Sequence, residues 1–191
     1  MPPRNVKTIR DVIFWQYAKI VSESAGAGKK NYGMIMSTYK KLCDGSMSWS
    51  SSVREWVRER EQGNVCVYCG CAGKLTTDHI LPRICGGDDT PENVVSVCKS
   101  CNSSKGCKGL YEWRGLEAKD KHHRIAEGKY LKYMYSLHEK QGTLDAEIGA
   151  LCPACALEEK CIAGGHENKL TVYCIEGSFL TKKDAFLSNA R

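Results

Sequence analysis

The sequence predicts an α+β protein. Segments 8–25, 31–43 and 123–140 place apolar residues at helical spacing, whereas 64–110 alternates short β-like runs with Gly, Pro and Cys. The third observation is 12 cysteines in 191 residues with only 3 phenylalanines. Such a chain builds a modest core, and chains of this composition commonly replace part of it with bound metal.

In order along the chain, residues 8–25 read as a helix with Val12, Ile13, Trp15, Tyr17, Ile20 and Val21 on one broad face. Ala25-Gly26-Ala27-Gly28-Lys29-Lys30 breaks it. It is not a phosphate loop, because Glu23 stands where the first Gly is needed and Lys30 where Ser or Thr is needed. A second helix over 31–43 carries Tyr32, Met36, Tyr39 and Leu42. Ser46 to Ser52 connects to a short charged helix, 53–62, with Trp56 and Val57 facing inward. Residues 1–63 thus form a helical region, 64–117 a central core and 118–150 a basic helical segment. In that segment Ile125, Leu131, Met134 and Leu137 pack, with Arg124, Lys129, Lys132 and Lys140 as the polar complement. Residues 151–191 form a C-terminal Cys-rich module ending in a strand-like run, Leu170 to Ile175.

The termini lack an apolar signal core, and nothing approaches the roughly 18 apolar residues of a membrane span. A cytoplasmic location follows as the expectation, and there tight cysteine pairs are metal ligands rather than disulfides. The net charge of +6 is uneven: 1–63 and 99–140 are basic, 64–98 and 141–191 mildly acidic. Basic flanks around an acidic centre suit a polyanion held beside a divalent cation.

Cys66-Val67-Tyr68-Cys69 and Cys98-Lys99-Ser100-Cys101 are two Cys-x-x-Cys knuckles. Each presents two thiolates to one ion, and two such pairs complete a tetrahedral zinc shell of Cys66, Cys69, Cys98 and Cys101. Cys71, Cys85 and Cys107 have no assigned role, although Cys71 or Cys107 could substitute as a ligand. Cys152, Cys155, Cys161 and Cys174 form a second set, read as a second structural zinc. His166 is an alternative fourth ligand and an iron–sulfur cluster an alternative occupant.

Between the first knuckles lie Asp78-His79-Ile80-Leu81-Pro82-Arg83, then Gly86-Gly87, then Asn93-Val94-Val95. The second knuckle runs on as Asn102-Ser103-Ser104-Lys105. These pieces in this order resemble the HNH family of ββα-metal endonucleases, over residues 64–106. The resemblance implies a zinc-stapled ββα-metal core and Mg²⁺- or Mn²⁺-dependent hydrolysis of DNA phosphodiesters. It further implies His79 as general base, Asp78 and Asn102 as ligands of the catalytic ion, and Asn93 as the residue that orients the His79 segment. A local bend would let the adjacent Asp78 and His79 reach one phosphate, since strand neighbours otherwise face opposite ways.

Arg83, Lys105 and Lys108 are candidates for nucleic-acid contact. Arg114, Lys119, Lys121, His122, His123 and Arg124, with Tyr111 and Trp113 among them, extend the basic surface. The expected function is a DNA endonuclease of a restriction or defence kind. A homodimer would bring two one-metal sites to one duplex. The alternatives are a zinc-dependent nucleic-acid-binding protein without catalysis and an RNA-directed nuclease.

Overall fold

The computed structural model describes residues 3–49, 55, 58, 59, 61, 63–164 and 169–181. The readings made for Trp56, Val57 and His166 fall outside these. Helix α1, Ile9–Ser24, starts at a capping box: Thr8 Oγ1 accepts from the Asp11 N–H at 3.2 Å, and Asp11 Oδ2 from the Thr8 N–H at 3.0 Å. Helix α2, Tyr32–Cys43, is capped by Asn31 and packs on α1 through Ile35, Tyr39 and Leu42. Trp15 and Tyr39 meet edge to face at 5.7 Å.

Strands β1, Leu75–His79, and β2, Val94–Cys98, pair antiparallel with Asp78 opposite Val95 and His79 opposite Val94. Val95 and Val97 point into the core, while Val94 and Ser96 are half-buried. Helix α3, Lys99–Lys105, begins at once, with Cys98 Sγ accepting from the Cys101 N–H at 3.4 Å. The order strand, loop, strand, helix gives the mixed architecture expected for residues 64–106. A short helix α4, Leu110–Arg114, and the long α5, Arg124–Gln141, follow. No helix among the described residues is long and apolar enough to cross a membrane.

Helix α5 corrects the amphipathic reading. Lys129 and Lys132, expected on its solvent face, are buried, and so is almost every residue from Ile125 to Met134. Lys129 Nζ lies 2.8 Å from Glu59 Oε2, and Lys132 Nζ 2.5 Å from Glu55 Oε2. Both carboxylates come from the segment near residue 60, which covers a face that helical periodicity assigns to water. Buried charges are tolerated when paired and hydrogen-bonded.

The strand-like run 170–175 is also corrected: it enters a turn and the short helix α6, Tyr173–Glu176. Glu176 explains the preference. Its buried carboxylate accepts the N–H groups of Tyr111 and Glu112 at 3.1 and 2.5 Å and the hydroxyl of Tyr130. It thereby caps α4, whose own N-cap, Gly109, has no side chain to do so. A Cβ at Gly109 would lie 2.6 Å from the Glu176 carboxylate, so any other residue there would push that carboxylate off the helix start.

Glu127 on α5 is buried between Lys29 Nζ at 2.9 Å and the Tyr111 hydroxyl at 3.0 Å. Burial pushes its carboxyl up to about 7, against the pull of Lys29. Raised above its unfolded value, this group contributes stability below about pH 4.5 that is lost as pH rises through about 7. Urea unfolding across that window should show a decline of about 3 kcal/mol attributable to this group. Glu127→Gln should flatten that part of the profile, and an unchanged profile would refute the assignment.

Candidate active site and thiolate cluster

Asp78 and His79 close strand β1 and face different partners. Asp78 is 5% exposed. Its Oδ2 accepts from the Tyr68 hydroxyl at 2.7 Å and lies 3.1 Å from Lys105 Nζ. Lys105 is fully buried and also donates to the His79 carbonyl at 2.7 Å. Its ammonium is therefore turned inward to Asp78. Burial lowers the Lys105 pKa, with Asp78 opposing the shift. Burial, reinforced by the Asp78 charge, raises that of the Tyr68 phenol.

His79 presents its ring on the loop side. Nε2 lies 2.5 Å from Asp89 Oδ1, and the Arg83 guanidinium clamps the same carboxylate, with Nε at 2.9 Å. The Arg83 hydrogen bonds, then the His79 contact, hold the Asp89 carboxyl below the usual range. Asp89 was missed as a site residue from sequence. The only signal was an acidic pair, Asp88-Asp89, directly after the glycines in the same loop.

The loop is stitched by Asn93, which is fully buried. Its Oδ1 accepts from the Leu81 N–H at 2.8 Å, and its Nδ2 donates to the carbonyls of Leu81 and Asp88 at 3.0 and 2.8 Å. One amide thus sets the path of the chain leaving His79 and of the chain carrying Asp89. A Cβ at Gly87 would stand 1.9 Å from the Leu81 carbonyl oxygen, so the second loop residue of the glycine pair has to be glycine.

Asn102 and Lys105 lie three residues apart on one face of α3 and both reach β1. Asn102 Nδ2 donates to Thr76 Oγ1 and the Thr77 carbonyl, each at 3.1 Å. Its Oδ1 accepts no hydrogen bond among the described residues. Asp78 and Asn102 therefore offer hard oxygen donors from β1 and α3, the donor type that Mg²⁺ or Mn²⁺ takes. The carboxylate already serves Lys105 and Tyr68, although each of its oxygens has a second lone pair. Arg83 is exposed beside His79, and Lys108 lies on the loop after α3.

The sulfurs of Cys66, Cys69, Cys71 and Cys98 lie within 4.8 Å of one another. Zinc–sulfur bonds of about 2.3 Å put tetrahedral sulfurs roughly 3.8 Å apart, so the donor set fits zinc. Cys71, without a role from spacing, stands in this group. The Cys101 thiol adjoins it, close enough to interact with Cys98 and Cys69, and burial raises its pKa. The Cys98 thiol is pulled down to about 6, chiefly by the Cys101 N–H. Among the described residues Cys152, Cys155, Cys161 and Cys174 are not gathered to the same degree. Burial raises the pKa of the Cys155 thiol and pushes that of Cys174 up to about 11.

Residues 66–108 match the sequence model of the HNH endonuclease family. Over 58 residues the chain is 40% identical to the CRISPR-associated endonuclease Cas9 of Corynebacterium diphtheriae, covering 28% of this chain and 5% of that protein. No solved structure matches.

The Asp78–Lys105 pair makes a stability prediction. Lys105→Met should leave a buried carboxylate uncompensated and destabilise the fold by about 3–5 kcal/mol in chemical denaturation. Adding Asp78→Asn should recover part of that loss, and a double variant no better than the single would show that the charges are not coupled.

Proposed function

Starting from the HNH match at residues 66–108, we propose that the protein is a metal-dependent DNA endonuclease in which His79 is the general base. The observation that carries this is the His79–Asp89–Arg83 arrangement. The Arg83 guanidinium keeps Asp89 anionic and also approaches His79 Nε2, with its Nε at 3.2 Å; the base we propose is the tautomer in which His79 gives its Nε2–H to Asp89. The lone pair then resides on Nδ1, which has no partner among the described residues and is free to receive a proton. In hydrolysis His79 takes a proton from water as its oxygen bonds to phosphorus. The bond from phosphorus to the 3′ oxygen breaks, and that oxygen takes a proton from solvent. The products carry a 5′-phosphate and a 3′-hydroxyl.

Asp78 and Asn102 would hold Mg²⁺ or Mn²⁺, which supplies charge stabilisation at the phosphate oxygens. Asn93 would position the base through the loop, and Arg83 and Lys108 would contact phosphate. The likeness to a segment of Cas9, and the extra flanks, favour a restriction or defence role. Pairing of two chains would serve double-strand cutting. Zinc at Cys66, Cys69 and Cys98, with Cys101 or Cys71 as fourth ligand, staples the core, and Cys152, Cys155, Cys161 and Cys174 would hold a second zinc.

The closed Asp78–Lys105 pair favours one second reading, a zinc-dependent nucleic-acid-binding protein without catalysis. Supercoiled plasmid incubated with protein and Mg²⁺ should be cut, and EDTA should stop it. His79→Ala should lower the rate by about 10²–10⁴ while binding persists. Intact plasmid with normal binding would leave the second reading, and preferential cutting of labelled RNA would make RNA the substrate. Metal analysis should find two zinc ions per chain. Cys71→Ser and Cys101→Ser, made separately, should differ, the true fourth ligand being the one whose loss releases zinc to a chelator.

A further inference from the structure

A cavity of about 450 Å³ lies outside the candidate active site, between the first cysteine knuckle and the segment leading into α5. Its walls include Tyr68, Gly70, Lys121, His122, His123 and Arg124. Lys121 and Arg124 make no ion pair among the described residues. The single carboxylate on the wall, Glu23, is outnumbered by Lys121 and Arg124, and Lys29, 3.6 Å from it, is shared with Glu127 at 2.9 Å. Beside the Cys69 thiol, the charged side chains of the wall are thus two cations and one carboxylate, a positive excess.

His122 gives the cavity a directional group. It is 6% exposed, and its Nε2 has no hydrogen-bond partner among the described residues. Burying such a nitrogen without a partner costs free energy unless a ligand satisfies it. The residue is held firmly: its ring stands edge to face against Tyr111 at 5.2 Å, and its carbonyl accepts from Lys29 Nζ at 3.0 Å. Burial, with Lys29 and Arg114 nearby, lowers its pKa to about 3. The ring is thus neutral, its Nε2–H tautomer is a donor, and the nearby cations that add to the effect of burial favour an anion beside it.

Tyr68 joins this cavity to the candidate active site. It lines the cavity, and its hydroxyl donates to Asp78 at 2.7 Å.

We propose that this cavity seats an uncut backbone phosphate of DNA, with Lys121 and Arg124 supplying charge and His122 Nε2–H supplying a directed hydrogen bond. The choice of DNA rests on the nuclease reading, and the phosphate chemistry rests on the cavity alone. Backbone contacts of this kind hold register without reading sequence.

The test is equilibrium binding of the full chain to a short fluorescent DNA duplex, without divalent metal, over a range of salt. Lys121→Gln with Arg124→Gln should weaken binding about tenfold and reduce the salt slope by about 1. His122→Phe, which keeps the ring but removes the donor, should weaken binding several-fold with the slope unchanged. Lys40→Gln with Lys41→Gln, two exposed lysines of α2, should change neither quantity. Unchanged affinity and slope in the Lys121/Arg124 pair would overturn the proposal, as would an equal effect from the α2 pair. Loss for an RNA duplex but not for DNA would overturn the choice of DNA. Weakened DNA binding in a chain that never cuts plasmid would refute the nuclease reading and keep the cavity, whereas normal cutting with unaltered binding would do the reverse.

Discussion

The last rung of the β hairpin is held by two buried ammonium groups, and the site is arranged around it. His79 and Val94 face each other in the ladder. The His79 carbonyl accepts from Lys105 Nζ, and the Val94 carbonyl from Lys129 Nζ. A lysine taken out of water needs an anion as well as neutral acceptors. Asp78 serves Lys105, and Glu59 serves Lys129. The requirement to satisfy two desolvated charges thus ties α3, α5 and the segment near residue 60 to the strand end that carries Asp78 and His79. Lys132 with Glu55, and Lys29 with Glu127, extend the same principle along α5.

The hairpin loop then divides positioning from chemistry. Asn93 has no exposed atoms and spends its amide on the main chain of Leu81 and Asp88. Asp89 and Arg83, on the surface of the same loop, meet the His79 ring. A buried amide defines the path of the loop, and exposed charges on that loop meet the His79 ring. On the other side of β1, Asn102 and Lys105 tie α3 to the strand by side chains rather than by backbone pairing. The thiolate group at Cys66, Cys69, Cys71 and Cys98 joins the turn before β1 to the end of β2, so the hairpin is closed at the end opposite its loop.

Much of this was legible from residues close in sequence. Apolar residues at helical spacing marked α1 and α2, and the structure adds their caps, Thr8 with Asp11 and Asn31 with Met34. Knuckle spacing placed Cys66, Cys69 and Cys98 together because two thiols on one tight turn have few other arrangements. The expected strand at 170–175 failed because β-propensity gives no partner strand. The turn and helix there bring Glu176 to the start of α4, an interaction across 64 residues.

The sequence by itself determined which chemical groups enter the site and in what order: thiol knuckles, the Asp78-His79 step, Asn93 and Asn102. These are local patterns, and short-range sterics and ligand chemistry suffice to specify them. Tertiary structure alone decided that Lys105, Lys129 and Lys132 are buried, that Asp89 meets His79, that Cys71 joins the thiols and that His122 lines a cavity. Each of those depends on which distant segment covers a surface, because desolvation is a property of the neighbours and not of the residue.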